Sequence, residues 1–229
     1  MAKFKVLASV ILAIVFVLFG INARAETSKW ARLVEESGKV LEEVQKMPDQ
    51  GIPDDLLKKC SAIAIFPSTV SAGFIIGGQY GQGIIMVRDE KANKWSAPAI
   101  FDIVGGSVGF QVGGEATDLI LLFMNRRSVD GVLQGHFKVG VDAAVAAGPV
   151  GRKAKADTDI QLKGGILAYS RCRGLFAGIK LEGAAINDNW AGNTDIYEAT
   201  YTVDNILIEN KYKMPKCAEG VLKTLDQYK

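Results

Sequence analysis

The sequence has 229 residues, of which 27 are basic, 25 are acidic and 48% are hydrophobic. This balanced charge argues against a nucleic-acid-binding protein, which would show a strong basic excess. A chain of this size fits one domain and can bury a core without disulfide bonds.

The first 25 residues have the pattern of a secretory signal peptide. Lys3 and Lys5 precede an uninterrupted apolar run over residues 6–21, and Ala23-Arg-Ala25 supplies small residues for cleavage. We predict that residues 1–25 are removed and that residues 26–229 form a single domain that is periplasmic or secreted. An uncleaved inner-membrane anchor is the alternative.

Helices are predicted at both ends of that domain. Apolar residues recur at three- and four-residue steps from Trp30 onward, so residues 26–49 are predicted to form an amphipathic helix. Pro53 opens a short second helix, with acidic residues in its first turn and lysines at its end. Residues 202–229 form a C-terminal helical segment in which Pro215 opens the last helix.

Residues 50–201 carry strand-like patterns. Short buried runs at 62–66 and 119–124 are separated by glycine-rich segments, and residues 137–147 alternate along their whole length. Glycines inside strands mark bends and bulges, and no long helices alternate with the strands. We therefore predict an α+β fold, in which a strongly curved, glycine-rich antiparallel sheet approaches a barrel between the terminal helices.

One motif is typical of a hydrolase. Gly105-Gly-Ser-Val-Gly109 matches G-x-S-x-G, and acidic residues and His136 follow in the order of a catalytic triad. The motif requires a strand-to-helix turn, whereas strand-like alternation follows Ser107. We predict that Ser107 is structural and that the protein is not an enzyme; a serine hydrolase using Ser107 is a less favoured alternative. Neither a cofactor nor a metal site is predicted, because phosphate-binding loops are absent and there is one histidine.

Five basic residues form the best candidate binding site. They follow a glycine-proline turn at 148–151 and open a strand predicted over residues 166–182. If that strand neighbours residues 137–147, the five side chains gather at one end of the sheet as an anion-binding rim. The rim consists of Arg152, Lys153, Lys155, Arg171 and Arg173.

Two of these arginines are the sharpest part of the rim hypothesis. Arg171 and Arg173 are two residues apart, so on one strand they share a face. Exposed arginines there would tolerate charge reversal without loss of the fold. The alternatives are a solvated loop, or arginines buried against a carboxylate such as Glu182 or Asp142.

The chain contains three cysteines, Cys60, Cys172 and Cys217. An oxidising compartment allows one bridge and one remaining thiol. The favoured pair is Cys60 with Cys217, because each lies in a helical segment near one end of the domain. Three small buried hydrophobic residues are an equally good interpretation.

Several segments together resemble the SYLF domain family. They lie in order over about residues 50–200 and include IPDDLL, AIAIFP, GFIIGGQYGQG, WSAPAIF, GGSVGFQVGGEATDLILLFMN, AAGPVGR and YSRCRGLFAG. Animal and fungal members of that family bind phosphoinositides and, in yeast, actin. The chain is similar to secreted bacterial members, although Ala168 and Cys172 stand where serines are usual.

The resemblance implies a non-enzymatic, lipid-associating domain of the bacterial cell envelope. Phosphoinositides and actin belong to the eukaryotic cytoplasm, so what carries over is the recognition of anionic lipid headgroups or of a membrane surface by basic residues. A structural or protein-binding envelope module, with an unidentified protein partner, is the alternative.

Overall fold

The computed structural model describes residues 28–47, 50–89, 91–109, 115–134, 136–151, 165–172, 175–179, 181, 183–197 and 201–228. For residues 72–77, 106–109, 115 and 136 it describes the backbone. The predicted signal peptide, residues 1–25, lies outside these ranges.

Helices lie at both ends of the described chain, as predicted, and also between strands. They are α1 (Lys29–Lys46), α2 (Asp54–Lys59), α3 (Arg126–Leu133), α4 (Trp190–Tyr197), α5 (Val203–Leu207) and α6 (Glu219–Leu225), with 3-10 turns at Lys216–Ala218 and Asp226–Tyr228. The hydroxyl of Ser28 caps α1 by accepting a hydrogen bond from the amide of Ala31, at 3.0 Å. The sequence analysis did not predict α3 or α4, each of which has eight residues, whereas α5 lies in the predicted C-terminal helical segment.

One sheet contains the nine strands of the described residues. They are β1 (Ala62–Asp89), β2 (Lys94–Trp95), β3 (Ala99–Gly109), β4 (Glu115–Phe123), β5 (His136–Lys138), β6 (Val145–Ala147), β7 (Ile166–Cys172), β8 (Leu175–Gly178) and β9 (Ala185–Asp188). Their order is β5-β9-β3-β1-β4-β7-β6, with β2 beside β1 and β8 beside β7. The named pairs are antiparallel except β6 with β7, which is parallel.

Strand β1 has two arms that lie side by side. The amide of Arg88 donates to the carbonyl of Ser61, at 2.8 Å. Further along, a Cβ added to Gly83 would lie 2.1 Å from the carbonyl oxygen of Ile65, so only glycine fits there. The first arm also pairs with β4 and the second with β3. Together the two arms form the centre of the sheet.

The sheet is strongly curled, as predicted. Its edge strands β5 and β6 are joined by residues 139–144, which reach roughly 25 Å when fully extended. A flat sheet in this order, in which β1 contributes its two arms, would separate the two edges by roughly 34 Å, since neighbouring strands lie about 4.8 Å apart. The edges must therefore approach each other. The structure confirms the α+β class with a barrel-like sheet.

Each face of the curled sheet has its own core. The concave face encloses a cluster that includes Phe66, Phe101 and Phe123, and side chains of α3 and α5 fill one end of it. The convex face packs Ile65, Leu167 and other strand residues against α1, α2 and α6. Among the described residues, α3 and α5 thus fill only one end of the concave face.

Two predicted strands are wrong. Residues 137–147 turn at Gly140, where φ is +86°, and divide into β5 and β6 at opposite edges of the sheet. In place of one strand over residues 166–182, the structure has the antiparallel pair β7 (Ile166–Cys172) and β8 (Leu175–Gly178). The second correction removes the single strand on which Arg171 and Arg173 were predicted to share a face.

Candidate functional site

Arg171 is the second-to-last residue of β7, and its guanidinium is paired with two carboxylates. Its Nη2 and Nε lie 2.6 and 2.8 Å from Oδ2 of Asp118, directly across the β4–β7 ladder. Its Nη1 contacts the carboxylate of Glu43 on α1. The side chain is 18% exposed. A guanidinium with two carboxylate partners has little charge left for a ligand.

The Arg171 ion pair connects the convex face of the sheet to α1. Asp118 also accepts a hydrogen bond from the amide of Ser68, at 2.9 Å. Ser68 has a φ of +50° and lies at the irregular pairing of β1 with β4. Burial alone would lower the pKa of Arg171, but the hydrogen bonds to Glu43 and Asp118 outweigh burial and raise it. The guanidinium is therefore charged at any pH at which the protein folds.

The rim hypothesis is thus corrected for Arg171. The buried-pair alternative describes it, with Asp118 and Glu43 as partners rather than Glu182 or Asp142. The carboxylate of Asp142 accepts from the amide of Lys138 instead, at 2.6 Å. A reversed charge at Arg171 would face two carboxylates, so the expected tolerance of charge reversal does not hold there.

The remaining rim residues stay a prediction. They lie outside the described residues, as does Glu182: Arg152, Lys153, Lys155 and Arg173. What the structure adds is where their neighbours in the chain lie. In the sequence, Arg173 follows Cys172, the last residue of β7. Arg152 follows residues 148–151, of which Gly148 donates its amide hydrogen bond to the carbonyl of Ala168 on β7, at 3.1 Å.

Ser107 lies within strand β3, where its backbone pairs with Gly77 on β1. The G-x-S-x-G segment is therefore strand throughout and does not form a strand-to-helix elbow. Two acidic candidates for a triad are engaged elsewhere, because Asp118 binds Arg171 and Asp130 pairs with Arg126 at 3.0 Å. This agrees with the prediction that Ser107 is structural.

The Cys60–Cys217 disulfide is absent from the structure, and no disulfide involves Cys172. Cys60 is buried at the end of α2, and its thiol donates to the carbonyl of Leu57, at 3.3 Å. Burial raises the pKa of this thiol to about 12. Cys217 contacts the same apolar cluster from a 3-10 turn. Small hydrophobic packing thus describes Cys60 better than a bridge does.

A polar cluster ties α4 to the sheet. Asp188 accepts hydrogen bonds from Asn193 at 2.7 Å and from Tyr201 at 2.9 Å, while Asp102 accepts two from Asn189 at 2.8 and 2.9 Å. Burial raises the pKa of Asp188, and the nearby Asp102 carboxylate raises it further. The hydrogen bonds from Tyr201 and Asn193 lower this pKa but do not cancel the rise. Because these partners satisfy one another, the cluster is structural.

A pocket of about 420 Å³ occupies the concave face at the end that α3 and α5 do not fill. Its described lining comes from β1, β4, β7 and β8. The polar members are Thr69, Ser71, Gln79, Thr117, Ser170 and Cys172, and the apolar members are Leu119, Leu175, Ala177 and Ile179. A volume of this size lies within the range of ligand sites, roughly 300–1,000 Å³.

The chemistry of the pocket differs between its sides. On the β8 side, Leu175, Ala177 and Ile179 give an apolar strip, with Leu175 73% exposed at the mouth and Ile179 packed against the core. On the β1 and β4 side, Thr69, Ser71 and Thr117 carry hydroxyl groups. None of the described lining side chains is a carboxylate, an ammonium or a guanidinium. The pocket can therefore hold an uncharged group that is partly apolar.

Sequence reasoning missed this pocket, although a signal was present. Along β4 the inward positions change from Leu119 to Thr117, and along β1 from Phe66 to Thr69. This change from apolar to hydroxyl side chains occurs at alternate positions of β4 and across the irregular pairing of β1, where the core gives way to the pocket. Strand alternation alone does not reveal it.

Within the described ranges, no three His, Cys, Asp or Glu side chains are grouped so as to hold a metal ion. None of the helices in the same part of the chain combines the length and the apolar composition of a membrane span.

Comparison with known proteins identifies the family of the chain. The profile of the Ysc84 family, described as "Las17-binding protein actin regulator", matches residues 104–228. The chain belongs to the Ysc84 family. This confirms the predicted resemblance to SYLF domain proteins.

Curated relatives extend the match over most of the chain. It is 30% identical over 208 residues to SH3 domain-containing YSC84-like protein 1 of Homo sapiens, covering 90% of this chain and 59% of the relative. It is 33% identical over 181 residues to Protein YSC84 of Saccharomyces cerevisiae, covering 78% of this chain and 38% of the relative. The chain thus spans less than two thirds of the length of these relatives.

Proposed function

We propose that this protein is a non-enzymatic binding domain of the bacterial cell envelope that associates with anionic membrane lipids. The observation that carries the proposal is the mouth of the concave pocket, where Leu175 is 73% exposed at the start of β8. Together with Ala177 and Ile179 it forms an apolar strip along an open cavity, and such a cavity is typical of a ligand-binding site.

Basic residues flank that mouth in the chain. Arg173 lies between Cys172 and Leu175, both of which line the pocket. Arg152, Lys153 and Lys155 follow the segment that packs on β7. Each lysine or arginine near an anionic bilayer contributes about 1 kcal/mol to binding. Four such residues, without Arg171, are enough for weak and salt-sensitive association.

The predicted signal peptide supports the location. An exported domain meets the periplasmic faces of the bacterial membranes, so its lipid differs from the cytoplasmic ligands of eukaryotic SYLF proteins. Mass spectrometry of the exported protein tests this part of the proposal. We expect a chain that starts at Glu26, and a mass that includes residues 6–21 would mean a membrane anchor instead.

Vesicle co-sedimentation tests the lipid part. The mature protein, residues 26–229, is mixed with phosphatidylcholine vesicles and with vesicles that also contain phosphatidylglycerol. The test variant is Lys153→Glu with Arg173→Glu. The matched control is Lys91→Glu with Lys94→Glu, two exposed lysines of which the first lies in the turn after β1 and the second begins β2. We expect at least roughly tenfold weaker binding to anionic vesicles for the test variant, since about 1.4 kcal/mol is tenfold.

The result expected of the wild type is binding that requires phosphatidylglycerol and weakens as salt rises. Equal losses in the test and control variants would mean that net charge, not the rim, drives binding. Absence of wild-type binding to anionic vesicles at low salt would contradict the proposal.

A protein-binding module is the second candidate. It is favoured by the description of the family as Las17-binding actin regulators and by the name of a further relative, LAS seventeen-binding protein 3 of Saccharomyces cerevisiae, 33% identical over 181 residues. Crosslinking in intact cells distinguishes the two. A single protein crosslinked through position 175, together with no vesicle binding, would favour this candidate.

A further inference from the structure

We propose that the concave pocket holds one acyl chain of a membrane glycerolipid, with the ester group beside Gln79. The inference rests on the proposed lipid association and assigns a ligand to a pocket on the face of the sheet opposite Arg171. It follows from the shape of the pocket, the order of its lining and one unsatisfied polar group.

The apolar strip gives the direction of the chain. Leu175, Ala177 and Ile179 are at alternate positions, so they point to the same side along β8. They lead from an exposed mouth to the partly buried Ile179, which packs against the concave core near Leu119. An alkyl chain entering beside Leu175 would follow this strip inward and would cover apolar surface that is now open to water.

The opposite side of the pocket suits an ester rather than a plain hydrocarbon. Hydroxyl groups of Ser71 and Thr117 line it, and that of Ser170 lies on β7 beside Ala177. Charged groups are lacking among the described lining residues, so a free carboxylate or phosphate would find no counter-ion inside. The charged headgroup of the lipid therefore stays outside the described part of the pocket.

Gln79 supplies a buried polar group without a partner. Its Nε2 is shielded from water and makes no hydrogen bond within the described residues, and it packs beside Gly105, since a Cβ added there would lie 3.3 Å from it. A half-turn of the carboxamide would direct this N–H into the pocket. An ester carbonyl at that position would then accept a hydrogen bond from a donor that has no partner in its present orientation.

Calorimetric titration of the mature protein with 1-monodecanoylglycerol, a soluble ester with one chain, tests the inference without a bilayer. We expect saturable binding at one site. Ala177→Trp should weaken it at least tenfold by filling the pocket from the exposed β8 position. Val70→Trp is the matched control, because Val70 is exposed on β1 between Thr69 and Ser71 and so points to the other face.

A second variant tests the ester contact. Gln79→Leu should reduce the preference for 1-monodecanoylglycerol over 1-O-decylglycerol, the ether that lacks the carbonyl. If Ala177→Trp unfolds, which circular dichroism will show, Ala177→Leu fills the same space more gently and should weaken binding by a smaller factor. Equal ester affinity in the wild type and both Ala177 variants would overturn the pocket.

Failure of this inference can be separated from failure of the proposed function. Vesicle binding without any binding of monodecanoylglycerol would overturn the acyl-chain site and leave the proposed lipid association standing. Binding of the ester without any binding to anionic vesicles would contradict the membrane as the source of the ligand.

Discussion

Replacement of Arg171 by methionine should destabilise the protein by about 2 kcal/mol, because it removes the ion pairs with Asp118 and Glu43. Methionine keeps much of the apolar stem of arginine, so the change removes mainly the charge. It leaves Asp118, whose side chain is 15% exposed, without its guanidinium. The amide of Ser68 remains as one donor to that carboxylate.

The magnitude lies between two limits. Breaking a fully buried ion pair costs about 3–5 kcal/mol, because a charge is left in a dry environment. An exposed pair contributes about 0–1 kcal/mol. The Arg171–Asp118 arm is mostly buried, whereas the carboxylate of Glu43 is 58% exposed and can be solvated after the change. The Asp118 arm should therefore account for most of the loss.

Urea unfolding of residues 26–229 at neutral pH measures the effect, and a thermal melt should show a Tm lower by about 4–8 °C. Arg126→Met is the matched control, because its pair with Asp130 is 47% and 56% exposed. We expect that control to change stability by less than about 0.5 kcal/mol. A wild-type stability for Arg171→Met would refute the reasoning and would return Arg171 to the ligand-binding rim.

Three other predictions concern single positions. Gly83→Ala should destabilise the fold by more than about 3 kcal/mol in urea unfolding, because its Cβ would lie 2.1 Å from the carbonyl oxygen of Ile65. Gly78→Ala on the same strand is the control, since nothing lies within 4 Å of its Cβ. Similar losses of stability in the two variants would contradict the packing of the two arms. Cys60 should resist iodoacetamide in the native protein at pH 8, because a pKa of about 12 leaves roughly one thiolate in ten thousand. Mass spectrometry after unfolding without reductant should then find all three thiols alkylated, and two protected thiols would reveal a disulfide. Asp188→Asn should gain stability relative to wild type as the pH rises from acidic to neutral. The raised pKa of Asp188 stabilises the folded wild type at low pH, and this contribution is lost as the pH rises through the folded pKa. A difference in unfolding free energy between the two proteins that stays constant across that range would argue against it.

Local periodicity predicted the elements whose apolar positions repeat without interruption. The helix that begins after Ser28 and the buried run Leu119–Phe123 both follow from their own spacing, since every turn or strand position agrees with the next. The glycines inside strands likewise predicted a curved sheet, and Gly83 shows the reason, because one arm of β1 approaches the other too closely for a side chain.

The errors arose where a turn lacks a strong sequence signal. Residues 173–174 are Arg-Gly, not the Asn-Gly or Asp-Gly pair that is typical of a two-residue hairpin, so β7 and β8 looked like one strand. Residues 139–144 alternate like a strand, yet they join opposite edges of the sheet. Their turn follows from the curl of the whole sheet, which is not a local property.

The partners of Arg171 were unpredictable for a related reason. Asp118 is 53 residues away in the chain and Glu43 is 128 residues away, so sequence distance gave no reason to prefer them over Asp142 or Glu182. They meet because β4 lies beside β7 and α1 packs on the convex face. Charge pairing in this fold is decided by sheet order, and sheet order depends on the arms of β1.

Strand β7 therefore serves two separate roles, an ion pair on its convex face and a pocket lining on its concave face. Its alternation sends Arg171 to the convex face, where carboxylates hold it against α1, and sends Ser170 and Cys172 to the concave face, where they line the pocket. A change at Arg171 should alter stability while a folded variant keeps its pocket, and a change at Ala177 should alter ligand binding while stability is kept. If both positions affected both properties, the two faces would be coupled through the strand, and neither the structural assignment of Arg171 nor the separate pocket would stand as described.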